Sequence, residues 1–299
     1  MQTIYLAGQR YDLPGTWAEV PADRLPKLLE LLFVKPEGGE TYHELLRTTL
    51  GLSKRAWTKM ACHYFSPHLP PGTRRRNAET LAQVLGLIEW MWRDELTRQP
   101  FAAVRAGGRD YLLPDEQLRT VAFGELTDAY IHAQAFIKQL EPGEGRLHLL
   151  LATLCRPERS NPVLGPAYTA SPDWNGDRRE PYNEHAVRHR ADAMAALEPR
   201  EKVAVLMYFL GSLKEFLATY DTFDADTPEG SVYEDDYPGQ GFIKNQHLLA
   251  EKGVFGTLKQ TKEANAHEVF LFLEEHKKDL DAQIEAEERA QDARRHHHN

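Results

Sequence analysis

Apolar residues recur at helical spacing through most of the chain. Across 77–97 they fall at Leu81, Val84, Leu85, Ile88, Met91, Trp92 and Leu96, the stripe of one amphipathic helix, with Asn77 placed to cap its start. A second stripe opens at Pro199, a residue suited to the first helical position, and runs through Val203, Leu206, Phe209, Leu210, Leu213, Phe216, Leu217 and Tyr220. Around 205–210 this segment is apolar on nearly every side, which predicts the most deeply buried helix of the chain. Weaker periodicity predicts helices over 23–33, 42–50, 53–64, 125–140, 146–155, 184–197 and 241–252. A last helix starts at Lys262, carries Val269, Phe272, Leu273, Leu280 and Ile284, and is expected to fray by Arg294.

Strand patterns are few, and two of them match. Gly8, Tyr11, Leu13 and Pro14 align with Gly108, Tyr111, Leu113 and Pro114 at a constant offset of 100 residues. Each segment reads as strand, glycine turn, short strand, then a proline that ends the ladder. The match is either a true repeat or a shared turn grammar. A hairpin this short is marginal alone, so the two hairpins, near 3–14 and 103–114, are expected to meet in one small antiparallel sheet. The fold class that follows is mainly α: a multi-helix globule with a small antiparallel β contribution.

Two segments break the periodicity. Residues 156–183 hold five prolines, the turn pair Asn175-Gly176 and the charged run Asp177-Arg178-Arg179-Glu180; residues 221–240 hold seven acids and neither Lys nor Arg. Irregular stretches this long inside compact domains tend to be functional or unstructured. Tyr168, Trp174, Tyr182, Tyr233 and Tyr237 point to loops anchored on the core rather than free linkers. The expected organisation is an α-rich half over 1–155, a proline-rich connector over 156–183, and a helical half over 184–299 with the acidic loop 221–240 and an exposed tail over 285–299. The three histidines 296–298 read as a natural tail or a tag remnant and carry no metal assignment.

Composition narrows the class. At 41 % hydrophobic and 27 % charged, with 29 aromatic residues, the chain can bury a core, which excludes wholesale disorder. A net charge of −9 and a pI near 5.8 do not describe a surface made for nucleic acid. Two cysteines, Cys62 and Cys155, cannot build a disulfide framework. No signal peptide is visible, and the most apolar runs, at 203–210 and 269–273, are too short for a membrane helix. The expectation is a soluble cytoplasmic protein with no membrane partner.

Candidate chemistry is sparse. His185 and His189 share one helix face at the spacing a zinc site uses, but Arg188 and Arg190 flank them and no third ligand is near in sequence. A metal-dependent hydrolase therefore stands last among the readings. Asp224-x-Asp226 opens like a calcium loop, yet Pro228 and Glu229 occupy the positions of a ligand and the turn glycine. There is no phosphate-binding loop, dinucleotide fingerprint or nucleophile elbow, and Cys62 and His63 are adjacent, so they diverge on a helix. No cofactor and no catalytic residue is assigned.

One charge concentration stands out. Residues 40–77 carry Arg47, Lys54, Arg55, Lys59, Arg74, Arg75 and Arg76 against only Glu40 and Glu44. Over 42–64 the pattern reads as helix, tight turn, helix with Ser53 as cap, similar to a helix-turn-helix DNA reader. An ordinary αα-hairpin with a basic outer face fits equally, and Trp57 suits a core better than a recognition face. Lys54, Arg55, Lys59, Arg74, Arg75 and Arg76 are expected to form one exposed basic face for an acidic protein partner, with nucleic acid the second choice.

A succession of short motifs resembles a known group of proteins. It runs Leu13-Pro-x-x-Trp17-x-Glu19-Val20, Tyr111-x-x-Pro114, Phe123-Gly-Glu125-Leu126, then the segment ending Cys155-Arg156-Pro157, Asn175-Gly-Asp177-Arg178-x-Glu180-Pro-Tyr-Asn183, and Gly253-Val-Phe255-Gly256. The chain is similar to an uncharacterised family encoded in phages and prophages of the Bacteroidetes beside tail genes, from about Leu13 to Leu273. It departs from that pattern at Cys155, where an aromatic residue is expected, and at Val20, where Leu is. The resemblance implies a non-catalytic role in tail assembly, as a chaperone-like or minor structural protein in the host cytoplasm or the virion. It brings no catalytic residues, and it leaves the oligomeric state open.

Overall fold

The computed structural model describes residues 1–159, 169, 174–220 and 237–297. Helices dominate them, with two small antiparallel sheets of two strands each, as the periodicity predicts. The anchors expected at Tyr168 and Tyr233, the Asp224-x-Asp226 motif and most of the acidic loop lie outside the described residues. No described helix is long and apolar enough to cross a membrane.

The chain divides into two compact units, and both are discontinuous: residues 1–108 with 196–212, and residues 109–195 with 213–299. The proline-rich segment 156–183 therefore does not mark the division.

In the first unit, β1 (Gln2–Leu6) and β2 (Gln9–Leu13) pair with Ile4 opposite Tyr11. Ala7 and Gly8 turn the hairpin at φ 49° and 77°, the paired left-handed conformations that let a two-residue turn follow the twist of the strands. The Ala7 amide donates to the Tyr64 hydroxyl at 2.9 Å, and Leu6 and Leu13 are buried. Trp17 donates to the Asp94 carbonyl at 2.8 Å and Trp90 to the Pro14 carbonyl at 3.1 Å, their rings edge to face at 5.1 Å. This pair satisfies both indole N–H groups, with Trp17 buried and Trp90 half-buried.

Helices α1 (Leu25–Phe33) and α2 (Gly39–Thr49) pack on each other, as do α3 (Lys54–Phe65) and α4 (Pro71–Gly86). The single helix expected over 77–97 is corrected. Pro71 at the first helical position starts α4 earlier, and Asn77 lies mid-helix, donating to the Tyr64 carbonyl at 2.8 Å instead of capping. After Gly86 the chain tightens through short turns into α5 (Trp90–Arg93), which fully buries Ile88 and Met91. Helix α9 (Pro199–Ala218) gives residues up to Ser212 to this unit, and Ala204, Val205, Tyr208 and Phe209 are at 0 % exposure, the deep burial its sequence predicts.

The second hairpin, β3 (Ala103–Ala106) with β4 (Arg109–Leu112), forms a sheet of its own, so the expected shared sheet is also corrected. The reason is local. Leu112 exchanges backbone hydrogen bonds with Arg156 at 2.7 and 3.0 Å, so β4 already has a neighbour on its open side.

The second unit is built on α6 (Phe123–Ile137), α7 (Gly145–Leu154), α8 (Glu184–Ala195), α10 (Gln240–Glu251), α11 (Leu258–Glu263) and α12 (Ala266–His297). Helix α7 packs on both α6 and α8, and α11 packs on α10 and α6. Phe123, Phe216, Phe242 and Phe270 meet edge to face with centroids 4.9–6.4 Å apart, the aromatic core of the unit. The last helix begins after the break at Ala264–Asn265, not at Lys262, and its backbone stays helical past Arg294 to His297. Side chains 277–289 on it are exposed.

Candidate functional site

The basic residues lie on α3 and α4 of the first unit. Ser53 caps α3, accepting from the Ala56 amide at 3.2 Å. Lys54, Arg55, Lys59, Arg74, Arg75 and Arg76 are all exposed, and among the described residues only Arg75 of these has a carboxylate partner, Glu79 at 3.1 Å. Arg47 is occupied in holding the turn: it pairs with Glu44 at 2.8 Å and donates to the Leu52 carbonyl at 2.9 Å. Trp57 is half-buried, edge to face with His43 at 5.6 Å. Helix α3 packs chiefly on α4 and α2 on α1, which is the pairing of αα-hairpins.

His185 and His189 lie on α8 with both rings exposed. Among the described residues no group of three His, Cys, Asp or Glu side chains could hold a metal ion. Cys62 is exposed and Cys155 buried; burial pushes the Cys155 thiol up to about 12, away from the thiolate a nucleophile needs.

The densest polar chemistry sits elsewhere in the second unit, on residues distant in sequence. Glu125 on the first turn of α6, Arg156 just beyond α7, and Asp177 and Arg179 on the following loop form a closed ring. Glu125 is at 0 % exposure and accepts from Arg179 Nη1 at 2.9 Å and from Arg156 Nη2 at 2.8 Å. Asp177 takes Arg179 in a two-pronged grip, Nε at 2.9 Å and Nη2 at 3.0 Å, and also accepts from Arg156 Nη2 at 3.0 Å. Arg179 further donates to the Leu154 carbonyl at 2.8 Å, and Arg156 to the Glu180 carbonyl at 2.5 Å. Two positive charges meet two negative ones, which is the condition under which buried charge is tolerated. Burial pushes the Asp177 carboxyl up, but Arg179 and Arg156 outweigh it and hold the group below the usual carboxylate range.

The turn that delivers Asp177 is written in Asn175-Gly176. The Asn175 side chain accepts from the Asp177 amide at 3.1 Å, and Gly176 takes φ 83°. The sequence does mark this turn, but nothing local marks the charges after it as buried. A run of Asp, Arg, Arg and Glu in a loop reads as solvated. Arg178 and Glu180 behave that way, meeting Glu158 and Arg109 at the surface, while Asp177 and Arg179 are buried.

Above the ring lies a cleft of about 1040 Å³, walled by α8 and α11. A second cavity of about 800 Å³ is lined by Asp128, His132, Arg146, Tyr182, His185 and His189. Glu125, Asp128 and His132 follow one face of α6 at steps of three and four residues, so one polar stripe serves both spaces. The Tyr182 hydroxyl donates to Asp128, and Arg146 approaches His132 Nδ1 at 3.3 Å. Burial raises the Asp128 carboxyl above its ordinary value; burial, aided by Arg146, pushes His132 down to about 4. His132 is thus a neutral imidazole near pH 7, and on acidification from 6.5 towards 4 it favours the unfolded chain, which takes up the proton first.

Compared with family models, with curated proteins and with solved structures, the chain matches none.

Proposed function

We propose that this protein acts through protein–protein contacts, in the tail assembly of a phage or prophage, as a chaperone or minor structural component. The observation that carries the reading is the basic surface of α3 and α4. Lys54, Arg55, Lys59, Arg74 and Arg76 are exposed, with no carboxylate of the described residues within ion-pair distance, on a chain whose net charge is −9. Such a surface favours an acidic partner, both steering encounter and selecting against basic ones.

Two further features favour a contact role. The carboxylates of the motif residues Glu125 and Asp177 are both spent on Arg156 and Arg179, as in a structural ring. The pairing of α3 with α4, and Trp57 turned towards His43, favour a helical hairpin over a DNA reader.

The test is a charge reversal. Lys54→Glu, Arg55→Glu and Lys59→Glu together are expected to abolish co-purification of tail components from an induced host, while circular dichroism stays that of the wild type. A salt-dependent gel shift of DNA by the wild type, lost in the triple variant, would instead establish the nucleic-acid reading.

A further inference from the structure

We infer that Arg190, with Arg156 beside it, forms an oxyanion-binding subsite in the cleft between α8 and α11. This goes beyond the contact role and rests on the second unit alone.

Counter-ions in the cleft are nearly all assigned. Arg156 has Glu125 and Asp177; Lys262 has Glu184 at 3.2 Å; Lys259 has Glu263 at 3.8 Å; and Glu180 is taken by Arg109 at 2.9 Å. Arg159 donates to the Arg179 carbonyl at 2.8 Å and lies over the Trp174 ring at 5.4 Å. Arg190 differs. It lines the cleft half-buried, its Nη1 reaches the Ala152 carbonyl at 3.4 Å, and among the described residues no carboxylate lies within 4.0 Å of it. A guanidinium withdrawn from water without a counter-charge is costly unless something else supplies one.

A second observation points the same way. Arg156, at 1 % exposure, also lines the cleft, and its Nε is a buried donor with no acceptor among the described residues. Burial holds both guanidiniums below their ordinary value. A guanidinium fork matches two oxygens of a carboxylate or phosphate, so an anion seated against Arg190 would supply the missing charge and two acceptors. The neighbouring wall offers the Asn175 amide and the Tyr182–His185 segment for further hydrogen bonds. The ligand class is therefore a small oxyanion, either free or carried as an acidic side chain on a peptide.

Calorimetric titration of the full chain in a chloride buffer decides the matter, with inorganic phosphate and an acetylated tri-glutamate amide as separate titrants. Saturable one-to-one binding of phosphate assigns a free-anion site; binding of the peptide alone assigns a peptide carboxylate. In either case Arg190→Gln is expected to weaken binding about ten- to hundredfold, the loss of a charge-assisted pair. Arg190→Lys, which keeps the charge but not the fork, should weaken it less, and Arg188→Gln on the same helix should leave it unchanged. If Arg190→Gln fails to fold by circular dichroism, the comparison of Arg190→Lys with Arg188→Gln carries the same test. Absence of saturable binding by both titrants, or equal losses in the position 188 and 190 variants, would overturn the inference.

Discussion

Glu125 is the fully buried acid of the ring, and it holds both arginines. Each of its oxygens holds a different arginine, at 2.8 and 2.9 Å, and its own exposure is 0 %. Glu125→Gln keeps the shape but leaves two buried guanidiniums facing one carboxylate. The expected cost is about 3–5 kcal/mol, the penalty of an unpaired buried charge. Arg178→Gln, which breaks only the exposed pair with Glu158, should cost under about 1 kcal/mol. Urea unfolding of both variants checks the contrast, and equal midpoints would deny the ring its structural role.

Among the helices, glycine positions separate packing from propensity. On α9, a Cβ at Gly211 would meet the Leu96 carbonyl oxygen at 2.4 Å and its carbonyl carbon at 2.7 Å, atoms of a backbone that cannot swing aside. Gly211→Ala is expected to destabilise by about 1–3 kcal/mol, as overpacking does. At the end of α4, Gly86 faces open space, so Gly86→Ala should stabilise by about 0.5–1 kcal/mol through the smaller entropy lost on folding. Thermal melts of the two variants should therefore move in opposite directions. A shared direction would mean that the close approach of α9 to Leu96 does not govern its packing.

At the scale of the molecule, the chain builds neither unit from one continuous stretch. Residues 196–212 return to complete the first unit after the second has begun. Val205, Tyr208 and Phe209 are fully buried there, and each contributes about 1.5–3 kcal/mol on burial. Their sum is a large part of the about 5–15 kcal/mol by which domains are stable. A fragment of residues 1–155 lacks them, and a fragment of 184–299 lacks α6 and α7. Neither is expected to show a cooperative heat-absorption peak alone by calorimetry. A sharp peak from 1–155 would show that the first core closes without α9.

Helix positions were legible in the chain itself because they are set by neighbours. Spacing of 3.6 residues places α3, α6, α8 and α9, Ser53 caps α3, and Pro199 starts α9, each within a turn or two of the signal that encodes it. The break after Gly86 was not, since the apolar stripe runs on and only the demand to bury Ile88 and Met91 bends the chain there. Nor was the ring. Glu125, Arg156, Asp177 and Arg179 meet across separations of up to 54 residues, with no period to announce it. The exposure of the basic residues on α3 and α4 could be read from sequence because exposed charge needs no partner, whereas buried charge exists only where distant segments supply its opposite, and that is settled by the tertiary fold.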